Sequence, residues 1–220
     1  RLLVHRSFQT YKYIEYFLVC IACLALQGWP AFWVAVHRKH HKYTDLPGDP
    51  HSPLEKDSPL AGFSWAQWGW MLSENEATQG DLVQVYAKDL IEIPFYQKLE
   101  KLWWIPSVIL ALLLVCIGWY IEDFFYGIQL FIYGYFVPIV VGWEITWLVN
   151  SVNHTKEIGG VKVGYRNFET SDQSNNCWWV AVLTFGEGNH NNHHKYPWSA
   201  RHGLTFWERL IDLNYWFILG

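Results

Sequence analysis

Apolar residues along the chain form long continuous runs rather than alternating with polar ones. Residues 102–121 are almost entirely apolar, and their length matches the about 20 residues that a helix needs to cross a bilayer. After the short polar turn Glu122-Asp123, residues 125–149 are again predominantly apolar and contain Gly and Pro, which membrane helices tolerate. The pattern predicts a transmembrane helical hairpin over about residues 102–149, and the alternative is a buried hairpin in a soluble core.

The distribution of charge supports the membrane interpretation and predicts which side of the membrane the flanking segments face. Charged residues make up 16% of the chain, against roughly 25% in ordinary soluble proteins. All 16 Lys and Arg lie within residues 1–101 or 156–220. By the positive-inside rule, both flanks of the hairpin face the cytoplasm. We therefore predict an all-α integral membrane protein. Its net charge of -4 gives no reason to expect a nucleic-acid partner.

The remaining segments are more polar. Residues 82–101 predict one surface helix with exposed lysines, and residues 204–219 predict an amphipathic helix along the membrane interface. Cys20 and Cys23 form a C-x-x-C, but they lie in an apolar run without a second pair. They are therefore interpreted as small buried side chains rather than a redox or zinc site.

Two histidine motifs with the same spacing carry the candidate chemistry. Residues 37–41 and residues 190–194 both read H-x-x-H-H and lie about 150 residues apart. Positions i, i+3 and i+4 share one face of a helix, and neutral imidazole is the commonest protein metal ligand. The repeated spacing predicts a metal centre. Imidazole suits iron, zinc, copper and nickel, so spacing alone leaves the metal open.

The apolar run over residues 14–36 must bend if the histidines around it bind one centre. A straight helix would separate His5 from His37 by about 48 Å at about 1.5 Å per residue. Residues 27–30, Gln-Gly-Trp-Pro, interrupt the run near its middle. We therefore predict a bent, membrane-embedded or interfacial element rather than a simple span.

Five stretches along nearly the full length together resemble one family. They are His5-Arg6-Ser7-Phe8, His37 to Asp45, Asp49-Pro50-His51, Trp147 to Ser151 with His154, and Gly186 to His194. In these motifs the chain is similar to the membrane fatty-acid desaturases, namely the acyl-CoA (stearoyl-CoA) type and the bacterial and cyanobacterial delta-9 enzymes. The family opens its first box as H-R-x-x-x-H, and Arg1 to His5 match the end of it. The resemblance implies a fragment that begins inside this box, with about two N-terminal membrane helices and one histidine missing.

The resemblance implies a non-haem di-iron centre held by nine histidines and by an asparagine acting through water. The residues of this chain that match those ligands are His5, His37, His40, His41, Asn150, His154, His190, His193 and His194. Asp45, Glu144, Glu157 and Glu187 are candidates to orient the ligating histidines, as outer carboxylates usually do. His51 is expected to be structural and His202 to lie at the surface.

The implied reaction uses O2 and two electrons to place a cis double bond, expected at delta-9, in a saturated acyl chain. CoA, carrier protein and glycerolipid all remain possible acyl carriers. Gln27, Trp33 and Thr146 match positions that line the bend of the family's acyl tunnel. The electrons are expected from a separate protein, ferredoxin or cytochrome b5. A related di-iron hydroxylase or ketolase is the alternative, followed by a haem electron-transfer membrane protein.

The expected organisation is one partial desaturase domain over residues 1–220. The histidine-box regions, residues 1–13, 37–101 and 150–203, are predicted to form a helical cap on the cytoplasmic side. The active site is therefore predicted on that side of the membrane.

Overall fold

The protein is mostly helical in the computed structural model, which describes residues 1–72, 75–158 and 160–220, and of Glu76 only the backbone. The first helices are α1 Lys12–Ala22, α2 Pro30–Tyr43, α3 Pro59–Ser64, α4 Trp70–Leu72, α5 Leu82–Tyr86, α6 Lys88–Ile91 and α7 Pro94–Leu102. The later helices are α8 Ile105–Ile121, α9 Phe124–Phe131, α10 Val137–Ser151, α11 Trp178–Leu183, α12 His190–Lys195, α13 Phe206–Ile211 and α14 Leu213–Leu219. The strands β1 Glu157–Ile158 and β2 Val161–Lys162 form a small antiparallel pair. The prediction of a helical protein is confirmed, with this short ribbon as an addition.

The chain divides into two compact units. The first comprises Arg1–Gln9, Val36–Leu82 and Ile145–Gly220, and it contains all ten histidines. The second comprises Thr10–Ala35 and Val83–Glu144, which include α8 and α9. The interpretation of the whole chain as a single desaturase domain stays a prediction.

Helices α8 and α9 pack side by side across the predicted turn. Asp123 caps α9, because its Oδ1 accepts a hydrogen bond of 2.8 Å from the Tyr126 N–H. Gly118 and Gly127 let the two helices touch, since a Cβ on Gly118 would lie 2.5 Å from the Gly127 Cα. A larger residue at either position would force the helices apart.

Within the described residues, one helix is long and apolar enough to cross a membrane. It extends without a break from Phe124 to Ser151, through a π-helical segment over Ile132–Phe136, and its mean hydropathy reaches 1.7. The candidates rise to three if two bent pairs each count as one span. These pairs are α1 with the turn after it plus α2, bent by 85°, and α7 plus α8, bent by 51°.

The break between α1 and α2 is stabilised by side chains from later helices of the same unit. Leu26 takes a left-handed φ of 51°, which ends the helical hydrogen-bonding pattern. The carbonyl groups just before it, those of residues 23, 24 and 25, accept hydrogen bonds from Ser107, Tyr135 and Trp143 respectively. Non-helical backbone at membrane depth requires such partners. The predicted bend is confirmed, whereas its position in the membrane stays a prediction.

Removing one of these donors should destabilise the bend. We expect Tyr135→Phe to cost about 1 kcal/mol, because the Leu24 carbonyl loses its 3.1 Å hydrogen bond. For a chain of this size, that corresponds to a fall of about 2–4 °C in the melting temperature of the detergent-solubilised protein. Tyr133→Phe is the matched control, since Tyr133 lies on the same π segment and is 72% exposed. Equal shifts for the two variants would contradict the prediction.

Two predicted helices are wrong because each is divided. The segment 82–101 forms α5, α6 and the greater part of α7, with breaks at Ala87 and at Ile93, which is extended because Pro94 follows it. Lys88, Lys98 and Lys101 are exposed as expected. The segment 204–219 forms α13 and α14, separated at Asp212. Asp212 leaves the helical conformation with ψ 65° and accepts hydrogen bonds from the backbone N–H groups of His202 and Gly203.

Candidate metal centre

Each H-x-x-H-H motif lies on a helix and contributes to two adjacent groups of histidines. In α2, the i and i+4 residues His37 and His41 join one group, while His40 joins the other. In α12 the arrangement is reversed, because His190 and His194 join the second group and His193 joins the first. The first cluster is thus His5, His37, His41 and His193, and the second cluster is His40, His154, His190 and His194.

The imidazole nitrogens converge within each cluster. In each group the candidate ligand atoms, one from each ring, lie within 4.8 Å of one another. In the first cluster, Nε2 of His41 lies 3.0 Å from Nε2 of both His37 and His193. In the second, Nε2 of His190 lies 3.0 Å from Nε2 of both His154 and His194. The rings of His41 and His194 stack at 4.6 Å and so connect the two clusters.

This arrangement fits two metal ions. Two imidazoles bound at right angles to one metal, each at about 2.1 Å, hold their nitrogens about 3.0 Å apart. Nε2 of His5 and Nε2 of His40 are buried and have no hydrogen-bond partner in the described part of the chain. Buried polar atoms without partners are unusual in proteins. A cation bound within each cluster would satisfy them, and the clusters can therefore hold metal.

Three buried or half-buried aspartates orient the second cluster. The Nδ1–H groups of His40, His154 and His194 donate to Asp49 at 2.9 Å, to Asp45 at 3.0 Å and to Asp172 at 3.0 Å. This fixes the proton on Nδ1 and leaves Nε2 facing the cluster, as carboxylates usually do for ligating histidines. Asp45 takes a left-handed φ of 60° just after α2, a conformation that Asp tolerates better than most residues.

The electrostatics keep the aspartates ionised. Burial favours the protonated form of Asp45, but attraction to His154 and hydrogen bonds from His154, Ser52 and the Gln173 N–H outweigh it and lower its pKa. Burial likewise opposes the charged ring of His154, whose pKa is nevertheless raised by Asp45. For His194, burial and the neighbouring histidines lower the pKa. The ring of His194 is therefore neutral, the form that binds a metal.

The loop before α12 needs glycine for close packing. Gly186 has a φ of 111°, which favours glycine, and a Cβ there would lie 2.4 Å from Oδ1 of Asp212. A Cβ on Gly188 would lie 2.2 Å from the backbone nitrogen of Ala181 in α11. These contacts place the start of α12 against α11 and position its histidines.

The two histidines outside the clusters are both buried. His51 stacks on His40 with ring centroids 4.4 Å apart and, with His40 and Asp49, forms a third group that could hold a metal, so its structural role stays a prediction. The prediction that His202 lies at the surface is wrong, because it is 1% exposed and its ring lies 4.4 Å from that of His193. Its Nδ1 lies 3.2 Å from Glu187, so this predicted carboxylate contacts His202 rather than a cluster ring.

The other candidate residues lie outside the clusters. Trp33 donates a hydrogen bond of 3.2 Å to the Gln27 side chain at the bend between α1 and α2. Thr146 and Asn150 are half-buried on α10. His154 lies in the turn after α10 rather than on that helix, so its i, i+4 relation to Asn150 is not helical. The roles of Gln27, Trp33, Thr146 and Asn150 stay predictions.

Similarity to known proteins identifies the family of this histidine-rich chain. The family model described as fatty acid desaturase matches residues 1–212. The chain belongs to the fatty acid desaturase family. The predicted resemblance is confirmed, and with it the class of enzyme, an oxidoreductase that desaturates fatty acyl chains. Members of this family are membrane-associated, in agreement with the apolar helix over Phe124–Ser151.

Individual relatives agree with the family assignment. The desaturase is 43% identical to sn-1 stearoyl-lipid 9-desaturase of Anabaena variabilis, over 98% of this chain and 70% of the relative. It is 40% identical to sn-2 palmitoyl-lipid 9-desaturase of a Nostoc species, over 99% of this chain and 69% of the relative. It is 38% identical to acyl-CoA C20 Delta5-desaturase of Anemone leveillei, over 100% of this chain and 62% of the relative. The chain thus spans between three-fifths and seven-tenths of these relatives' lengths.

The sequence motifs predicted the histidines of both clusters. They predicted only one of the three aspartates that orient the second cluster. Asp45 was a candidate, whereas Asp49 and Asp172 were not. Asp49 stands in the motif Asp49-Pro50-His51, so its position beside the second histidine box was a usable signal. Asp172 lies in a loop 22 residues before its partner His194, and no spacing rule connects them. Glu157 is exposed on β1.

Proposed function

We propose that the desaturase introduces a cis double bond at delta-9 of a saturated acyl chain, using O2 and two electrons at a non-haem di-iron centre. The observation that carries the proposal is the pair of interleaved four-histidine clusters in a chain 43% identical to a stearoyl-lipid 9-desaturase. Because the Anabaena and Nostoc relatives are lipid 9-desaturases, a glycerolipid is the proposed carrier and acyl-CoA the alternative.

Bound iron would supply the activation of O2 that is needed to attack an unactivated methylene pair, chemistry that amino-acid side chains do not provide. The acyl chain loses two hydrogen atoms, the donor supplies two electrons, and these with two protons reduce O2 to two waters. The role of this chain is positioning. The cluster histidines would hold the two irons, and Asn150 would act on one of them through a water.

The acyl chain is proposed to bind along Gln27, Trp33 and Thr146. The hydrogen bond between Trp33 and Gln27 supports this, because it fixes two of these side chains at the bend after α1. The hairpin over about residues 102–149 is proposed to cross the membrane with the turn at Glu122-Asp123 outside. The lysines and arginines on both flanks support a cytoplasmic location for the histidine clusters, where ferredoxin or cytochrome b5 would deliver electrons.

The proposal is tested by expressing the protein in a host that lacks delta-9 desaturase and determining its fatty acids. We expect monounsaturated acids with the double bond at carbon 9, found first in glycerolipids if a lipid is the carrier. The purified protein should contain about two irons per chain and show no haem absorbance. Hydroxylated fatty acid without an unsaturated product, or a Soret band, would contradict the proposal.

A further inference from the structure

We propose that Arg38, which directly follows the ligand His37 on α2, is the positioning residue for His5. Its guanidinium group holds the backbone immediately before His5, so that the ring of this histidine lies in the first cluster before a metal binds. The inference rests on the two-metal function proposed above and adds a residue on which the geometry of that centre depends.

His5 lies on an irregular segment, with no helix to place its ring. Residues 1–11 precede α1 and contain neither helix nor strand. By contrast, six of the other seven cluster histidines lie on α2 or α12. The next residue, Arg6, takes a left-handed φ of 50°, which is uncommon for a residue other than glycine. Such a conformation persists only where the surrounding structure holds the chain.

Arg38 holds this segment from α2. Its Nε–H donates to the Val4 carbonyl at 3.1 Å, and its Nη2–H donates to the Leu3 carbonyl at 2.8 Å. Nε and Nη2 belong to one planar guanidinium group, so a single rigid side chain fixes two consecutive peptide groups. The second of these is the peptide group that joins Val4 to His5. Its orientation therefore sets the direction in which the His5 side chain leaves the backbone.

The ring of His5 consequently lies among the other rings of the first cluster. Its centroid is 4.5 Å from that of His41 and 4.7 Å from that of His193. Nε2 of His5 is buried and has no hydrogen-bond partner in the described part of the chain, so a bond at this atom does not hold the ring in place. One turn of α2 thus carries ligands of the first cluster and, through Arg38, positions another.

Two other contacts hold the ends of the segment rather than the peptide groups before His5. The Arg1 side chain donates to groups in the C-terminal part of the chain, namely Glu187, Asp212 and the Ala200 carbonyl. The Ser7 N–H donates to the Arg1 carbonyl at 3.1 Å and closes the segment into a loop. Loss of Arg38 should therefore leave this loop attached to the protein while it frees the backbone next to His5.

Lys39 provides a matched control for Arg38. It is the next residue on the same helix, is half-buried like Arg38 and carries the same charge. It also donates a hydrogen bond to the backbone of a distant segment, at 2.6 Å to the Ala77 carbonyl. Replacing Lys39 removes a charge and a tertiary hydrogen bond from α2, but it leaves the backbone before His5 in place.

The test measures the binding of Co²⁺ to the metal-free protein in detergent, by visible absorption. Co²⁺ stands next to Fe²⁺ in the order of metal affinities, and imidazole nitrogen binds both. The wild type should bind one ion in each cluster. Arg38→Gln should weaken one of the two sites by about 10–100-fold, the loss typical when a residue that orients a ligand is removed. Arg38→Lys keeps the charge without the planar fork and should weaken the same site, whereas Lys39→Gln should leave both affinities unchanged.

A double-mutant cycle shows whether Arg38 acts through His5. His5→Ala removes the ligand itself and should weaken the same site as Arg38→Gln. In the His5→Ala protein, Arg38→Gln should cause no further loss of affinity, because no ring remains to be positioned. Additive losses would show that Arg38 acts elsewhere and would overturn the inference.

Hydrogen exchange of the metal-free protein gives a second measurement that does not depend on metal binding. The amides of residues 3–7 should exchange faster in Arg38→Gln than in the wild type, while the helices keep their protection. Unchanged exchange over residues 3–7 would contradict the inference. Circular dichroism and gel filtration identify a misfolded variant, and Arg38→Lys carries the comparison if Arg38→Gln does not fold.

Failure of this inference differs from failure of the proposed function. Wild-type protein that binds two metal ions, with equal affinities in Arg38→Gln and Lys39→Gln, would overturn the inference alone. Wild-type protein that binds no metal would overturn the proposed di-iron function and the inference together.

Discussion

Replacing His41 with alanine is expected to reduce the formation of unsaturated fatty acid by more than about 100-fold. Loss of an outer partner of a metal ligand typically costs 10–100-fold, and loss of the ligand itself should cost more. Nε2 of His41 lies 3.0 Å from Nε2 of His37 and of His193, so its removal opens one side of the first cluster. Its ring also stacks on His194 of the second cluster. One substitution therefore disturbs both metal sites.

The effect is measured by gas chromatography of fatty acid methyl esters from the desaturase-deficient host, together with iron analysis of the purified variant. Iron should fall from about two per chain to about one or fewer. His202→Gln is the control, because His202 is a buried histidine that lies outside both clusters. It should keep most of its iron. Comparable losses of iron in the two variants would show that packing around the clusters, rather than ligation, makes His41 important.

Replacing Glu208 with glutamine should cause the largest loss of stability. The Glu208 carboxylate is 2% exposed, and one oxygen accepts hydrogen bonds from the Leu204 N–H, the Thr205 N–H and the Asn192 side chain. The other oxygen accepts from Tyr165 at 2.7 Å and from Asn167 at 2.8 Å. In glutamine an amide NH2 group replaces one carboxylate oxygen, and this group cannot accept hydrogen bonds from the donors that face it. A fully buried donor left unpaired costs about 1–3 kcal/mol, and because Tyr165 and Asn167 are partly exposed we expect a loss of about 2 kcal/mol.

This loss should depend on pH in a defined direction. Burial alone would raise the pKa of Glu208, but hydrogen bonds from the Thr205 and Leu204 N–H groups and from Tyr165 and Asn167 lower it. A lowered pKa stabilises the folded state above the unfolded glutamate pKa of about 4.3, and the contribution is lost as the pH falls through the folded value. The stability difference between wild type and Glu208→Gln should therefore narrow below about pH 4.

The measurement is chemical denaturation of both proteins in detergent at pH 7 and at several acidic pH values. Groups that titrate in both proteins cancel in the difference. Glu169→Gln serves as the control, since Glu169 is exposed and, among the described residues, its backbone carbonyl rather than its carboxylate accepts a hydrogen bond. A gap between wild type and Glu208→Gln that stays constant down to pH 3 would contradict the assignment of the effect to the ionised carboxylate.

The histidine motifs and part of the helical framework were predictable because their signals are local. The spacing of His37, His40 and His41 follows from the geometry of one helical turn, and the apolar runs around the Glu122-Asp123 turn follow from the length of a membrane helix. The division of residues 204–219 was not predictable from periodicity. It depends on Asp212, whose carboxylate accepts hydrogen bonds from backbone groups ten and nine residues earlier.

The sequence by itself determined the kind of centre, namely histidine-rich, metal-binding and built on two helical motifs. Only the tertiary structure decided how these histidines are divided into clusters, because the i+3 histidine of each box joins the i and i+4 pair of the other. It also decided that Asp49 and Asp172 accept hydrogen bonds from His40 and His194 and that His202 is buried beside His193. Such relations depend on contacts between segments that are distant in the sequence. The periodicity of one segment shows which residues lie on the same face of a helix, but it does not show which other segment packs against that face.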